Sequence, residues 1–225
     1  MVSAIIVAAG QGNRMTGVED KLRLKVANLP VVGHAWRALD SHPAIDEVIL
    51  VIRDDARSWF DELAASLNPH KPFTFTAGGE ERQDSVANGL NAVSEKSQWV
   101  AIHDGARPCV GSQAITDTLA KARETGAAVT AAPVTDTLKM SDGVDRIARN
   151  VDRSNLWAVQ TPQIFACDIF KRALETVRSQ GTSVTDDTAA CELIGQPVTL
   201  VANSSANPKV TTPADLPLIE HLLKG

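Results

Sequence analysis

Ala4-Ile5-Ile6-Val7-Ala8-Ala9, running directly into Gly10-Gln11-Gly12-Asn13-Arg14-Met15, decides how the rest of the chain is read. The opening run is apolar without alternation, the pattern of a strand covered on both faces. The glycines that follow let backbone N–H groups close around a phosphate, and Arg14 and Lys21, carried in the same loop, answer its charge. A loop that only holds a nucleotide has little use for an internal arginine, whereas one that breaks a triphosphate does. The segment therefore points to a nucleotide-consuming enzyme.

Similar apolar runs recur at Val48 to Ile52, Trp99 to Ile102, Ala127 to Ala132 and Val198 to Val201, with a shorter one at Phe73 to Thr76. Between them, Val32 to Leu39, Ala56 to Leu67, Ser85 to Val93 and Ile115 to Glu124 have helical spacing, the last stopped by Gly126. Alternating strands and helices predict an α/β fold, a mostly parallel sheet with helices on both faces. Ligands of such sheets sit at the carboxyl ends of the strands. Three polar loops fall there: AAGQG, AGGEER (Ala77 to Arg82) and HDGARP (His103 to Pro108). After Pro133 the rhythm breaks. Thr137 to Met140, Ser141-Asp142-Gly143 and Arg146 to Val151 read as a hairpin, a β-arm at about residues 136–155 within a single domain spanning 1–225. An isolated two-stranded ribbon is marginal in water, so a second copy of the chain is expected to cover it. Helices are expected again at Asp168 to Val177, near Asp186, and from Pro213 to Leu223.

GQGNRM is not a dinucleotide fingerprint, because Arg14 stands near the place of the third glycine. Arg53 follows the second strand where a ribose-binding acid belongs. A Walker loop is excluded, since no Gly-Lys-Ser/Thr follows. In Gly78-Gly79-Glu80-Glu81-Arg82-Gln83-Asp84-Ser85, Asp84 or Ser85 suits a helix cap, and the glycine pair suits close approach of a flat base. Arg82 reads either as a solvated loop cation or as a ligand-binding one. In HDGARP, Asp104 and Arg107 form an internal salt bridge, or else Asp104 holds a divalent ion while Arg107 clamps a phosphate. His103 reads as a packed core histidine. Thr185-Asp186-Asp187 reads as an ordinary capping pattern, and Lys209 as a lysine in an extended piece before the last helix.

The 225 residues carry a formal net charge of -5 and are 44% hydrophobic, which permits a sizeable core and argues against a nucleic-acid or membrane-surface binder. The three cysteines, Cys109, Cys167 and Cys191, are widely spaced without a CxxC pair, so neither a disulfide framework nor a zinc site is indicated. The first apolar run is too short for a signal or membrane segment. A cytoplasmic enzyme is expected.

Taken in order, AAGQGNRM, GGEERQDSV, HDGARP, APVTDTLK, LWAVQTPQIF, TDDTAACE and NPKVTTPADL make the chain resemble the 2-C-methyl-D-erythritol 4-phosphate cytidylyltransferases, from Ala4 to about Leu222. The resemblance implies a Rossmann-like nucleotidyltransferase domain and a protruding arm that makes a homodimer. It also implies CTP and methylerythritol phosphate as substrates, with magnesium or another divalent cation. Under it, Arg14 and Lys21 are the catalytic pair at the triphosphate. Ala8, Ala9, Gly10, Gly12, Gly79, Glu80, Arg82 and Ser85 cradle the nucleotide, and Asp104 is the metal-associated carboxylate. Arg107, Thr137, Arg153, Thr161 and Lys209 bind the acceptor. The chain departs from the family where Asp20 replaces the more frequent proline before Lys21, where Val26 to Pro30 read VANLP, and at Gly105 and Asn203. A ribitol 5-phosphate cytidylyltransferase of the same fold is the nearest alternative, favoured less by AAG, the Arg107 loop and TDDTAACE. A catalytically idle nucleotide-sensing relative would be expected to lose Arg14, Lys21 or Asp104, and all three are present.

Overall fold

The computed structural model describes residues 1–10 and 20–224. Its elements run β1 (Val2–Val7), β2 (Lys25–Val26), β3 (Leu29–Pro30), α1 (Val31–Ser41), β4 (Glu47–Ile52), α2 (Arg57–Leu67), β5 (Phe73–Ala77), α3 (Arg82–Asn91) and β6 (Trp99–Asp104). They continue with α4 (Ser112–Thr125), β7 (Ala127–Pro133), β8 (Leu138–Ser141), β9 (Ile147–Val151), β10 (Trp157–Ala166), α5 (Cys167–Gln180), α6 (Asp187–Leu193), β11 (Thr199–Ala202) and α7 (Leu216–Lys224).

The seven-stranded sheet has the order β11-β7-β10-β6-β1-β4-β5. Strand β1 lies between β4 and β6, parallel to both, and its unbroken apolar sequence follows from burial on two faces. On one face Trp36 and Leu39 of α1, Phe60 of α2, and Ile115 and Leu119 of α4 pack on Ala4, Ile6, Val48 and Leu50. On the other, Val86 and Leu90 of α3 and Phe170 and Val177 of α5 pack on Ile5, Ile49 and Ile102, with Phe165 stacked on Phe170 at 4.5 Å between ring centres. Both faces of the sheet are thus covered, as the alternating pattern requires.

One strand departs from the sequence expectation. The sequence pattern offers no strand between the arm and the helix expected at Asp168, yet Trp157–Ala166 forms β10, which inserts between β6 and β7 antiparallel to both. Pro162 within it argues against a central strand, because proline cannot donate to a ladder. The register shift between Val159 and Gln163 absorbs it. A second difference is the start of α3: the helix begins at Arg82, capped reciprocally by Glu81 and Asp84, so Arg82 stands on the first helical turn and not in the loop.

The arm forms as a two-stranded ribbon, β8 paired with β9. Its turn is longer than an Asp-Gly pair. Asp142 Oδ1 accepts from the N–H groups of Val144 and Arg146, and both Gly143 and Asp145 take positive φ. Among the described residues no helix is long and apolar enough to cross a membrane.

Candidate active site

The strands β1, β4, β5 and β6 end at one edge of the sheet, and the chain's order reverses between β1 and β6, the crevice where ligands of open α/β sheets bind. The loops there are fastened to the strands beside them. Ala8 N–H donates to the Val51 carbonyl at 2.8 Å, Gly78 N–H to that of Ile52 at 2.8 Å, and Gly105 N–H to that of Val7 at 3.0 Å.

Asp104, the last residue of β6, is the centre of this edge. Lys209 Nζ donates to its Oδ2 at 2.8 Å, Arg107 Nε lies 3.5 Å from Oδ2, and Arg82 Nη2 lies 3.6 Å from Oδ1. Burial works against the charged form, but Lys209, Arg82 and Arg107 together hold the Asp104 carboxyl well below the usual carboxylate range. The internal pair of Asp104 with Arg107 is present, as one side of a three-cation cluster.

A buried hydrogen-bond chain holds the cluster from beneath. Asp104 N–H donates to Thr161 Oγ1 at 3.1 Å, and Thr161 donates in turn to His103 Nδ1 at 2.9 Å. His103 Nε2 donates to the Arg107 carbonyl at 3.0 Å. A carbonyl only accepts, so Nε2 carries a proton, and burial, which disfavours the imidazolium, leaves the ring neutral with Nδ1 as the acceptor. Burial pushes its pKa down to about 4. The reading of His103 as a packed histidine agrees with this geometry. Thr161, expected to bind the acceptor, is 2% exposed with its hydroxyl engaged within the protein. Arg107 Nη1 reaches the Asn207 carbonyl at 2.8 Å, and Asn207 Nδ2 donates to the Thr161 carbonyl at 2.8 Å, so the piece bearing Lys209 is tied to the same frame.

Arg82 has a partner that sequence reasoning missed. Its guanidinium grips Asp187 in a fork, Nη1 to Oδ1 at 3.0 Å and Nη2 to Oδ2 at 2.7 Å. Burial opposes the charge on Arg82, but Asp187 outweighs it and raises the pKa. The expectation that Thr185-Asp186-Asp187 is a plain capping pattern holds for Asp186, which accepts from Ala189 N–H at 3.0 Å. It fails for Asp187, which is 2% exposed and occupied by Arg82. One side chain suffices for an N-cap, so the second aspartate was the available signal.

The rest of the nucleotide cradle has local explanations. Ser85 Oγ accepts from Gly79 N–H at 3.0 Å and does not cap the helix. A Cβ on Gly78 would lie 2.3 Å from Ala9 Cβ, and one on Gly79 would lie 2.2 Å from Asp84 Cβ. The protein's own packing is therefore a reason for the glycine pair in its own right. Ala8 is buried beneath this edge, while Gly10 and Glu80 are exposed at it. Thr137 is exposed just before β8, and Arg153, also exposed, donates to the Thr135 carbonyl at the base of the arm. Lys21 is half-buried in a turn. Gly12 and Arg14 lie outside the described residues. Among the described residues, no group of three or more His, Cys, Asp or Glu side chains could hold a metal by itself.

The family described as IspD, 2-C-methyl-D-erythritol 4-phosphate cytidylyltransferase, matches residues 2–225. A curated relative of that name from Pelotomaculum thermopropionicum is 41% identical over 225 residues, covering 100% of this chain and 94% of its own length. One from Bacillus velezensis is 42% identical over 222 residues, covering 98% and 95%. A solved 4-diphosphocytidyl-2C-methyl-D-erythritol synthase from Anaerococcus prevotii superposes with a TM-score of 0.87 at 28% identity, covering 100% of this chain and 98% of that one. The 2-C-methyl-D-erythritol 4-phosphate cytidylyltransferase of Thermus thermophilus superposes with a TM-score of 0.81 at 30% identity, covering 100% of both. The chain belongs to the 2-C-methyl-D-erythritol 4-phosphate cytidylyltransferase family.

Proposed function

We propose that this enzyme transfers the cytidylyl group of CTP to 2-C-methyl-D-erythritol 4-phosphate, with release of pyrophosphate, in the non-mevalonate route to isoprenoid precursors. The observation that carries the reading of the site is the convergence of Lys209, Arg107 and Arg82 on Asp104 at the switch point. Lys209, Arg107 and Arg82 face Asp104 and the Asp187 that also holds Arg82, three cations against two carboxylates, which leaves net positive charge for phosphates. Arg107 and Lys209 are assigned to the acceptor's phosphate, with Thr137 and Arg153 reaching it from the arm. Thr161 contributes by holding Asp104 and His103 in place.

The attacking oxygen belongs to a phosphate and is already anionic, so the reaction needs no general base. A neutral, fully engaged His103 suits that requirement. Attack is in line at the α-phosphorus without a covalent enzyme intermediate. Arg14 and Lys21 take the charge that develops there, so catalysis is positioning plus electrostatics. Ala8, Ala9, Gly79 and Ser85 shape the nucleotide's seat.

Magnesium or another divalent cation fits Asp104 as a single hard donor beside substrate phosphates, the arrangement common for this ion. Asp104 Oδ1 carries the longer 3.6 Å contact to Arg82, beyond hydrogen-bond range, and keeps accepting capacity. Bound there, the ion would neutralise triphosphate oxygens. The arm leaves Val144 73% and Ile147 69% exposed, which supports a homodimer formed through it. Three free cysteines suit a reducing cytoplasm.

Pyrophosphate release from CTP, measured with methylerythritol 4-phosphate or with ribitol 5-phosphate and with or without magnesium, tests the reading. Turnover is expected only with methylerythritol phosphate plus metal. Turnover with ribitol phosphate alone would overturn the substrate, and none with either would favour the idle, nucleotide-sensing reading. Arg14→Met is expected to slow the reaction about a hundred- to thousandfold without unfolding the chain.

A further inference from the structure

Arg53, which stands where a dinucleotide-binding fold keeps its ribose acid, has no part in the site described above. Its Nη1 lies 3.1 Å from Asp20 Oδ2, and its Nε donates to Asp55 Oδ1 at 3.0 Å. The Asp20 and Arg53 side chains are 16% and 23% exposed, so the pair is largely shielded from water. Asp20 is also fastened to its own turn: Oδ1 accepts from Leu22 N–H at 3.1 Å, and its carbonyl accepts from Arg23 N–H at 2.8 Å.

The residues after Lys21 are equally fixed. Leu22 is 4% exposed in the core, and its carbonyl accepts from Val32 N–H at 3.2 Å at the start of α1. The Leu24 carbonyl accepts from Val31 N–H at 2.9 Å, and the Arg23 guanidinium lies over the Trp59 ring at 5.0 Å. Lys21 therefore stands between a residue clamped to the end of β4 and a residue plugged beneath α1. We propose that the Asp20–Arg53 ion pair is a positioning device for Lys21, setting where its ammonium meets the triphosphate. The aspartate does by an ion pair and a turn hydrogen bond what a proline ring at this position does by fixing φ. The inference rests on the assignment of Lys21 to the triphosphate.

Steady-state pyrophosphate release by the enzyme, with CTP and methylerythritol phosphate each varied against a saturating amount of the other, tests it in Asp20→Asn, Asp20→Glu, Arg53→Met, the Asp20→Asn/Arg53→Met double variant and Lys21→Met. Asparagine retains an acceptor for Leu22 N–H, so Asp20→Asn removes the ion pair and leaves the turn. Asp20→Asn and Arg53→Met are each expected to lower kcat roughly ten- to hundredfold, with the thermal midpoint and the KM for methylerythritol phosphate little changed. The double variant is expected to fall no further than the singles, and Asp20→Glu to recover most of the turnover. Lys21→Met is expected to lose about a hundred- to thousandfold. Full turnover in the two single variants while Lys21→Met is impaired would overturn the positioning role, as would fully additive losses. Near-normal turnover in Lys21→Met would overturn the assignment of Lys21, and the role of the pair with it.

Discussion

The cleft around Asp104 and the arm formed by β8 and β9 are both rich in polar side chains, but they are held in opposite ways. Apart from the contacts within His103 to Arg107, the partners in the cleft are distant in sequence: Lys209 and Asp104 are 105 residues apart, Arg82 and Asp187 105, Arg107 and Asn207 100. In the arm they are near. Lys139 and Asn150 are 11 apart, and the turn bond from Arg146 N–H to Asp142 spans 4. The cleft's groups are placed by the whole fold and by one another, the arrangement electrostatic catalysis uses. The arm's ladder fixes its shape but gives it no core of its own, so Val144 and Ile147 stay exposed in the single chain.

The comparison breaks most visibly at Arg82 and Asp187, where removing one partner leaves a charge in a site built for two. Asp187→Ala is expected to destabilise the fold by about 3 kcal/mol, because loss of one member of a buried pair usually costs about 3 to 5 kcal/mol and Arg82 retains some access to water. The double variant Arg82→Met/Asp187→Leu removes both charges and is expected to regain most of that stability while turnover stays low. Urea denaturation together with the pyrophosphate assay reads the two effects separately. A double variant with normal turnover would show that Arg82 serves the fold alone.

The second break is a pH effect centred on His103. In the unfolded chain its pKa is near the ordinary 6.5, and in the fold burial depresses it to about 4. Between these values the unfolded state takes up a proton that the folded state refuses. The stabilisation is therefore whole above about pH 6.5 and is lost as pH falls toward about 4, by about 3 kcal/mol in all. Other depressed groups, such as Asp40 and His42, shift stability too, so the measurement is a difference. The gap in unfolding free energy between the parent and His103→Gln is expected to narrow by about 3 kcal/mol from pH 7 to pH 4. A constant gap would contradict the neutral, buried tautomer.

Sequence legibility follows the same divide between near and far. Strands β1, β4, β6 and β7 were readable because a strand buried on two faces writes itself as a continuous apolar run. The site's edge was readable because AAGQG, AGGEER and HDGARP each follow such a run. Asp104, Arg107 and His103 were recognisable from one hexapeptide, since their partnership is largely local. Nothing local, by contrast, marks Asp187 as the partner of Arg82, or Lys209 as that of Asp104, because those pairs exist only after the chain has closed on itself. Strand β10 was hidden by Pro162 and its flanking glutamines, which signal a loop unless the register shift that accommodates them is known. The arm's strands were legible, but its turn was not: Asp142-Gly143 suggests a two-residue turn, whereas Asp142 Oδ1 organises a longer one through Val144 and Arg146.

The smallest expected effect on the fold, and the most direct test of the arm, comes from Ile147. Its side chain is 69% exposed in the single chain and Val144 beside the turn is 73% exposed, so neither has packing to lose within the monomer. Ile147→Ser should change the unfolding free energy by less than about 0.5 kcal/mol, as surface substitutions do. Burying most of an isoleucine side chain against a second copy is worth about 1.5 kcal/mol or more. The same substitution should therefore weaken a homodimer at least tenfold in dissociation constant. Sedimentation equilibrium across a dilution series, read beside the thermal midpoint, separates the two quantities. A dissociation constant unchanged by Ile147→Ser would remove the arm as the interface. A weakened dimer with an unchanged midpoint would establish that the arm, unlike the cleft, takes its stability from outside the chain. Turnover per chain should then fall with dilution in step with dimer loss if Arg153 or Thr137 serves the acceptor across that interface, and should stay constant if each cleft is complete within its own chain.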